Sequence, residues 1–193
     1  MPYEPPPALG SLTLAELVAL ADGRDQPPLE KWHPTSQGDS EMRIAADGKW
    51  FHQGGQIKRP AMVRAFARLL MRDAAGQHWL VTPAERLTIA VDDAAFIATD
   101  MEVRRGENGA VLAFQLNTDT VVLLGPEHGL RVAGSADQPA FYLALRHGSE
   151  ARLNRSTYGQ LIDYALSLPD ADPLEVSSMG LRFALAPAHA PGP

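Results

Sequence analysis

The chain of 193 residues contains no cysteine. That absence excludes disulfides, a catalytic thiolate and thiolate zinc centres. Lysine is scarce, with Lys31, Lys49 and Lys58 the only ones among 17 basic residues, so the positive charge is nearly all arginine. No apolar run approaches the roughly 20 residues of a membrane-spanning helix. The opening MPYEPPPALG lacks a basic segment followed by an apolar one and reads without a signal peptide. A soluble, cytoplasmic protein with no membrane partner is therefore expected. The net charge of −6 argues against nonspecific nucleic-acid binding.

Catalytic signatures are missing as well. The six histidines fall at 33, 52, 78, 128, 147 and 189, with no HxH or HExxH spacing, so neither a metal centre nor a cofactor is expected. No serine lies in a GxSxG elbow, and Gly54-Gly55 matches no phosphate-loop fingerprint. Asp92-Asp93 is a poor acid/base pair, because neighbouring strand residues point to opposite faces. No motif names a reaction.

What is present is a repeated pattern. Residues 57–70, IKRPAMVRAFARLL, recur in hydrophobic class at an offset of 96, where Ile57, Arg59, Phe66 and Leu70 become Leu153, Arg155, Ile162 and Leu166. The register continues through the strand-like segments that follow, so residues 57–91 and 153–187 read as an internal duplication. With 45% hydrophobic residues there is material for a sizeable core.

Local signals fill in the rest. Thr13 and Glu16 form a capping box, with Leu12 stapled onto Leu17, and open a short helix. Residues 24–42 read as a surface loop anchored by Trp32. Asp47-Gly48 and Gly54-Gly55 read as hairpin turns. Pro60 suits the first position of a helix over 60–73, with Met62, Val63, Phe66, Leu69 and Leu70 inward and Arg64, Arg68 and Arg72 outward. Strands are expected over 77–82, 86–91, 95–104, 110–117, 121–124 and 141–146, with a short piece near Leu130. A second helix over 155–168 precedes strands at 174–178 and 181–186 that finish the sheet. The fold class is α+β, in two related halves, each a twisted antiparallel sheet with one helix. The expected divisions are an arm over 1–42, a first repeat over 43–94, a larger second repeat over 95–187 and a disordered tail over 188–193.

Arg59 and Arg155 stand at equivalent helix starts, where a cation opposes the helix dipole. A salt bridge, to Glu85 or to Asp92-Asp93, answers this; so does an anion shared with backbone N–H groups. Trp50 and Trp79 read first as core residues and second as walls of a pocket between the halves, beside the turn Thr82-Pro83-Ala84-Glu85. The candidate ligand-binding set is thus Trp50, Arg59, Trp79, Thr82, Glu85 and Arg155.

These residues also carry a resemblance. Asp47-Gly48-x-Trp50, Gly54-x-x-Ile57-x-Arg59, Trp79-Leu80-Val81-Thr82-Pro83-x-Glu85 and Val91-Asp92-Asp93-Ala94 resemble a bacterial family known as domain-of-unknown-function family 1285. So do Asn117, Gly125-Pro126-x-His128-x-Leu130, Arg146-x-Gly148 and Leu153-x-Arg155-x-x-Tyr158, although Ala95 replaces a commoner proline. The resemblance spans about residues 29–186. It implies a duplicated core whose C-terminal half is superficially pleckstrin-homology-like. It also implies a nucleotide-like ligand between the halves and a role in signal transduction, with no catalytic activity. The leading expectation is a non-enzymatic sensor or adaptor binding a small anionic ligand, with a signalling protein as partner. A hydrolase using Glu85, Asp92 or Asp93, and a pure interaction module, are the alternatives.

Overall fold

The computed structural model describes residues 8–21, 26–135, 137–169 and 174–186. The tail over 188–193 lies outside the described residues. After a 3-10 turn at Leu9–Ser11 comes α1 (Leu14–Ala21). The capping box forms as expected: the Thr13 N–H donates to Glu16 Oε2 at 2.7 Å and the Glu16 N–H to Thr13 Oγ1 at 3.3 Å. Leu9 and Leu17 bury themselves against Ala113 and Val121, which anchors the arm on the second half from Leu9 onward.

The first sheet has strands β1 (Ser36–Ile44), β2 (Trp50–His52), β3 (Gly55–Gln56), β4 (Leu70–Arg72), β5 (His78–Val81) and β6 (Glu85–Val91). The second has β7 (Phe96–Gly106), β8 (Gly109–Leu116), β9 (Val121–Leu123), β10 (Leu130–Gly134), β11 (Pro139–Ala144) and β12 (Glu150–Leu153). The first runs in the order β3-β2-β1-β6-β5-β4; the second runs β9-β8-β7-β12-β11-β10. Each sheet is two antiparallel three-stranded meanders joined by one central parallel pair, β1 with β6 and β7 with β12. Even the exit is the same. Ile44 faces Val91 and Ala98 faces Leu153; in each case the next N–H, of Asp92 or Asn154, donates back to the first strand's carbonyl at 3.0 Å. The halves are related, and each sheet is mixed rather than purely antiparallel.

The offset of 96 holds for a helix and a hairpin after it: Trp79 faces Thr88 and Leu80 faces Leu87, as Glu175 faces Ala184 and Val176 faces Phe183, but it does not extend to the sheets. Helix α2 (Pro60–Ala67) lies between the two meanders of the first half, whereas α3 (Arg155–Leu166) follows the last strand of the second. The strands after α3, β13 (Glu175–Ser178) and β14 (Leu181–Ala184), form a separate hairpin instead of finishing the sheet. What recurs is β1–β6 as β7–β12. The unit at an offset of 96 is therefore local, a helix with a hairpin, and hydrophobic period alone does not carry the sheet order.

Two other expectations change. Helix α2 stops at Ala67, because Leu70, Met71 and Arg72 pair with Leu80, Trp79 and His78 as a strand. Arg64 alone of the arginine stripe lies within the helix. Met62 is exposed, and Phe66 and Ile162 are only partly buried. The loop over 24–42 ends early, since β1 begins at Ser36; Leu29, not Trp32, is its buried anchor. The first half of β1 is exposed and lacks apolar alternation, so its strand state comes from the backbone ladder to β6.

One core unites the halves, with Ile44, Trp50, Leu80 and Ile89 from the first and Leu112, Phe114, Phe141 and Leu143 from the second. Two glycines set how closely they meet. Gly48, at φ +78°, lies in the β1–β2 turn, where a Cβ would sit 2.6 Å from Asn117 Nδ2 and 2.8 Å from an Ile97 side-chain carbon. Gly148, at φ +73°, ends the 3-10 turn Arg146–Gly148 that packs on β4. A Cβ there would lie 2.5 Å from the Arg72 carbonyl oxygen.

Gly148→Ala is expected to cost about 2–4 kcal/mol by chemical denaturation, combining left-handed strain with a backbone collision. Gly54→Ala, at φ +79° with nothing within 4 Å, should cost only the strain, about 1–2 kcal/mol. Equal losses would mean that the halves do not meet at Gly148.

Histidines flank the same joint. Burial holds both His78 and His147 below the ordinary histidine range, aided by the nearby cations of Arg72 and Arg146 and opposed by Glu30, 3.3 Å from His147. The unfolded chain therefore binds protons more readily. Stability is complete above the unfolded value of about 6.5 and declines as pH falls below it. Urea denaturation between about pH 7.5 and 5.5 should show a loss, smaller in a His78→Gln/His147→Gln variant; an unchanged slope would contradict the assignment.

Candidate ligand-binding cleft

A cavity of about 600 Å³ opens between the halves. The β1–β2 turn contributes Asp47 from the first half, while β12 and the start of α3 contribute Arg152, Asn154, Arg155 and Tyr158 from the second. Local sequence explains this wall. Asn154 caps α3, its Oδ1 accepting the Thr157 N–H at 2.8 Å, so the chain turns from strand to helix at the cavity rim. The first turn of α3 holds no acidic residue, and its amide ends carry partial positive charge.

Arg155 is exposed and has no ion-pair partner among the described residues. Arg152 is held by Asp93 at 2.6 Å, which raises its pKa above the ordinary arginine range. Asp93 also accepts from the Tyr142 hydroxyl at 2.9 Å; burial, then this bond, pushes the phenol up. On the opposite wall Asp47 is answered by Lys49 at 2.6 Å, whose hydrogen bond keeps the carboxyl below its ordinary range. Phe141 and Tyr158 stand together with ring centroids 5.2 Å apart and add apolar surface. The cleft thus joins a cationic wall to an aromatic one.

Of the sequence candidates, Arg155 lines this cleft. Trp50 is buried, stacked on Phe66 at 6.4 Å, and borders a neighbouring hollow of about 360 Å³ that shares Asn117 with the cleft. Arg59 sits at the exposed start of α2 with no side-chain bond or ion pair among the described residues, and lines neither space. The strut from Arg59 to Glu85 does not form. Solvent, rather than a partner, relieves its repulsion from the helix dipole. Thr82 and Glu85 close the β5–β6 turn through Thr82 Oγ1 and the Glu85 backbone. Trp79 gives its indole N–H to Asp73 at 2.9 Å, under the Arg86 guanidinium. These three serve the first sheet and stay away from the cleft.

The sequence reading passed over Arg152, Asn154 and Asp47 as cleft residues. Asn154 carried a usable signal, since asparagine ahead of a helical run is a preferred cap. Asp92 and Asp93 lie in the bend after β6 and diverge there, Asp92 to Arg43 and Asp93 to Tyr142 and Arg152. Among the described residues, no three His, Asp or Glu side chains are grouped to hold a metal ion.

The two halves correspond to two family models. One described as "Domain of unknown function (DUF1285), N-terminal domain" matches residues 27–94; one described as "Protein of unknown function (DUF1285), C-terminal domain" matches residues 95–185. The chain is similar to the crystal structure of a DUF1285 family protein from Silicibacter pomeroyi DSS-3, at 36% identity and a TM-score of 0.76, covering 89% of this chain and 95% of that one. A DUF1285 family protein from Shewanella baltica OS155 shares the fold at 23% identity and a TM-score of 0.51, covering 63% and 90%. No curated protein matches the chain. Matched in both halves by the family's two models, and over most of its length by a solved member, the chain belongs to the DUF1285 family.

Proposed function

We propose that this protein is a non-enzymatic sensor or adaptor of bacterial, cytoplasmic signalling. Its ligand is a small, nucleotide-like anion held in the cleft between the halves. The observation that carries this reading is Arg155, without an ion pair among the described residues, standing at the cleft wall beside the first N–H groups of α3, those ahead of the Thr157 N–H that Asn154 caps. A phosphate there receives charge-assisted bonds from the guanidinium and from backbone N–H groups together. Tyr158, half-buried in the cleft lining and backed by the buried Phe141, offers an aromatic ring to a base or a similar ring. A volume of about 600 Å³ suits a molecule of that size.

Both halves line the cleft, so a ligand bound there stabilises the joint, and a signalling partner that reads the joint senses the ligand. The hydrolase alternative gains nothing from the geometry. Asp92 and Asp93 are engaged in separate ion pairs, and Glu85 is the first residue of β6, away from the cleft.

A thermal-shift screen of nucleoside phosphates and other small anions, followed by calorimetric titration of the best one, tests the reading. Arg155→Ala should weaken that binding about tenfold or more. Its ligand-free stability should be unchanged or higher by about 0.3–1 kcal/mol, because a cation repelled by the helix dipole is removed. Turnover of the ligand would refute the non-enzymatic role; equal affinity in Arg155→Ala would refute the site.

A further inference from the structure

The smaller cavity at the other glycine contact has a different chemistry. Its volume is about 200 Å³, and it is more enclosed than the cleft. It lies between the end of α2 and the 3-10 turn Arg146–Gly148, so both halves build it. His128 is set in its wall and is only 8% exposed. His128 Nδ1 lies 2.9 Å from the Ala144 carbonyl oxygen. A carbonyl only accepts, so Nδ1 carries the proton and donates it. That leaves Nε2 at the cavity without a protein partner among the described residues.

Cationic and hydroxyl groups surround this nitrogen. Arg68, at the end of α2, lines the cavity and has no ion pair among the described residues. Arg64 and Arg146 line it too, engaged with Asp119 at 2.9 Å and Glu127 at 3.1 Å. The Thr118 and Thr120 hydroxyls lie 3.3 Å from each other on another wall. Asp119 and Glu127 are thus each met by an arginine, and Arg68 has no ion pair among the described residues.

We infer that this cavity is a second ligand site, for a compact phosphate: inorganic phosphate or a short phosphomonoester. The chemistry of Nε2 selects phosphate over a carboxylate. A neutral imidazole offers Nε2 as an acceptor, and a charged one offers it as a donor. A phosphate monoanion carries both a P–OH proton and bare oxygens, so it meets either form. A carboxylate has no proton to give and meets only the charged one. Arg68 and the threonine hydroxyls then donate to the remaining oxygens. At about 200 Å³ the space holds a phosphate with a few attached atoms and excludes a nucleoside, which sets this site apart from the cleft.

Calorimetric titration of the intact protein with inorganic phosphate, at constant ionic strength, tests this. Wild type is expected to bind at millimolar or lower concentration. Arg68→Ala, at an exposed position, should weaken binding about tenfold or more. His128→Gln should weaken it less, with circular dichroism confirming the fold. Arg155→Ala removes any phosphate held at the cleft, and the binding that remains should still weaken when Arg68→Ala is added, which separates the two sites. No phosphate binding, binding indifferent to Arg68→Ala, or binding abolished by Arg155→Ala would each overturn the inference.

Discussion

The rest of the structure depends on how closely two backbones approach at the joint. Gly148 rests on the Arg72 carbonyl, and Gly48 rests on Asn117 and Ile97. The first contact carries a turn of the second half onto a strand of the first; the second carries a turn of the first half onto the second. Neither position has room for a Cβ. Between these contacts Trp50 and Phe114 enter one continuous core. Each contact also has a hollow beside it. The cleft with Arg155 adjoins Gly48 through Asp47 and Asn117; the cavity with His128 adjoins Gly148 through His147 and Ser149. Two turned surfaces held at fixed points cannot close completely, and the remaining gaps are lined by whatever side chains the turns present.

The connection between halves reinforces this geometry. Residues 92–95 pass directly from β6 to β7. Asp92 ties to Arg43 of the first sheet, Asp93 to Arg152 and Tyr142 of the second, and Ala94 and Ala95 are buried. Arg131 adds a guanidinium over the Tyr142 ring at 4.3 Å and a two-pronged bond to Glu150. These pairs are partly exposed, so each contributes modestly, on the order of 1 kcal/mol or less. Their larger effect is orientation, because Asp93 fixes Arg152 at the wall of the cleft. An arginine-dominated charge set suits this, since a planar guanidinium can stack on a ring and pair with a carboxylate at once.

Much of the fold was legible where local chemistry decides. Thr13 with Glu16, Asp47-Gly48, Gly54-Gly55 and Pro60 all did what their residue types dictate. The apolar runs through Val111–Leu116 and Phe141–Leu143 are strands as read. Where pairing partners decide, the sequence was silent. Ser36–Asp39 became strand only because β6 lies alongside, and Leu70–Arg72 left the helical pattern to pair with β5. The repeat read at an offset of 96 stops short of the sheets, since sheet order is a tertiary property that hydrophobic class does not encode. Of the two arginines that stand in conflict with a helix dipole, Arg155 lines the cleft. Arg59 carries the same conflict but is exposed to solvent and lines neither the cleft nor the hollow beside it. Arg152 was passed over because its importance comes from Asp93, 59 positions away in the chain.

The central claim is that the joint between the halves presents a cationic receptor at the start of α3. The most direct measurement is a nuclear magnetic resonance titration with adenosine monophosphate, following backbone amides and arginine side-chain N–H signals. The account predicts shifts concentrated at residues 154–158, at the Arg155 guanidinium and at Asp47-Gly48 across the cleft. Shifts confined to other surfaces, or signals of residues 154–158 unmoved while the nucleotide binds, would contradict it.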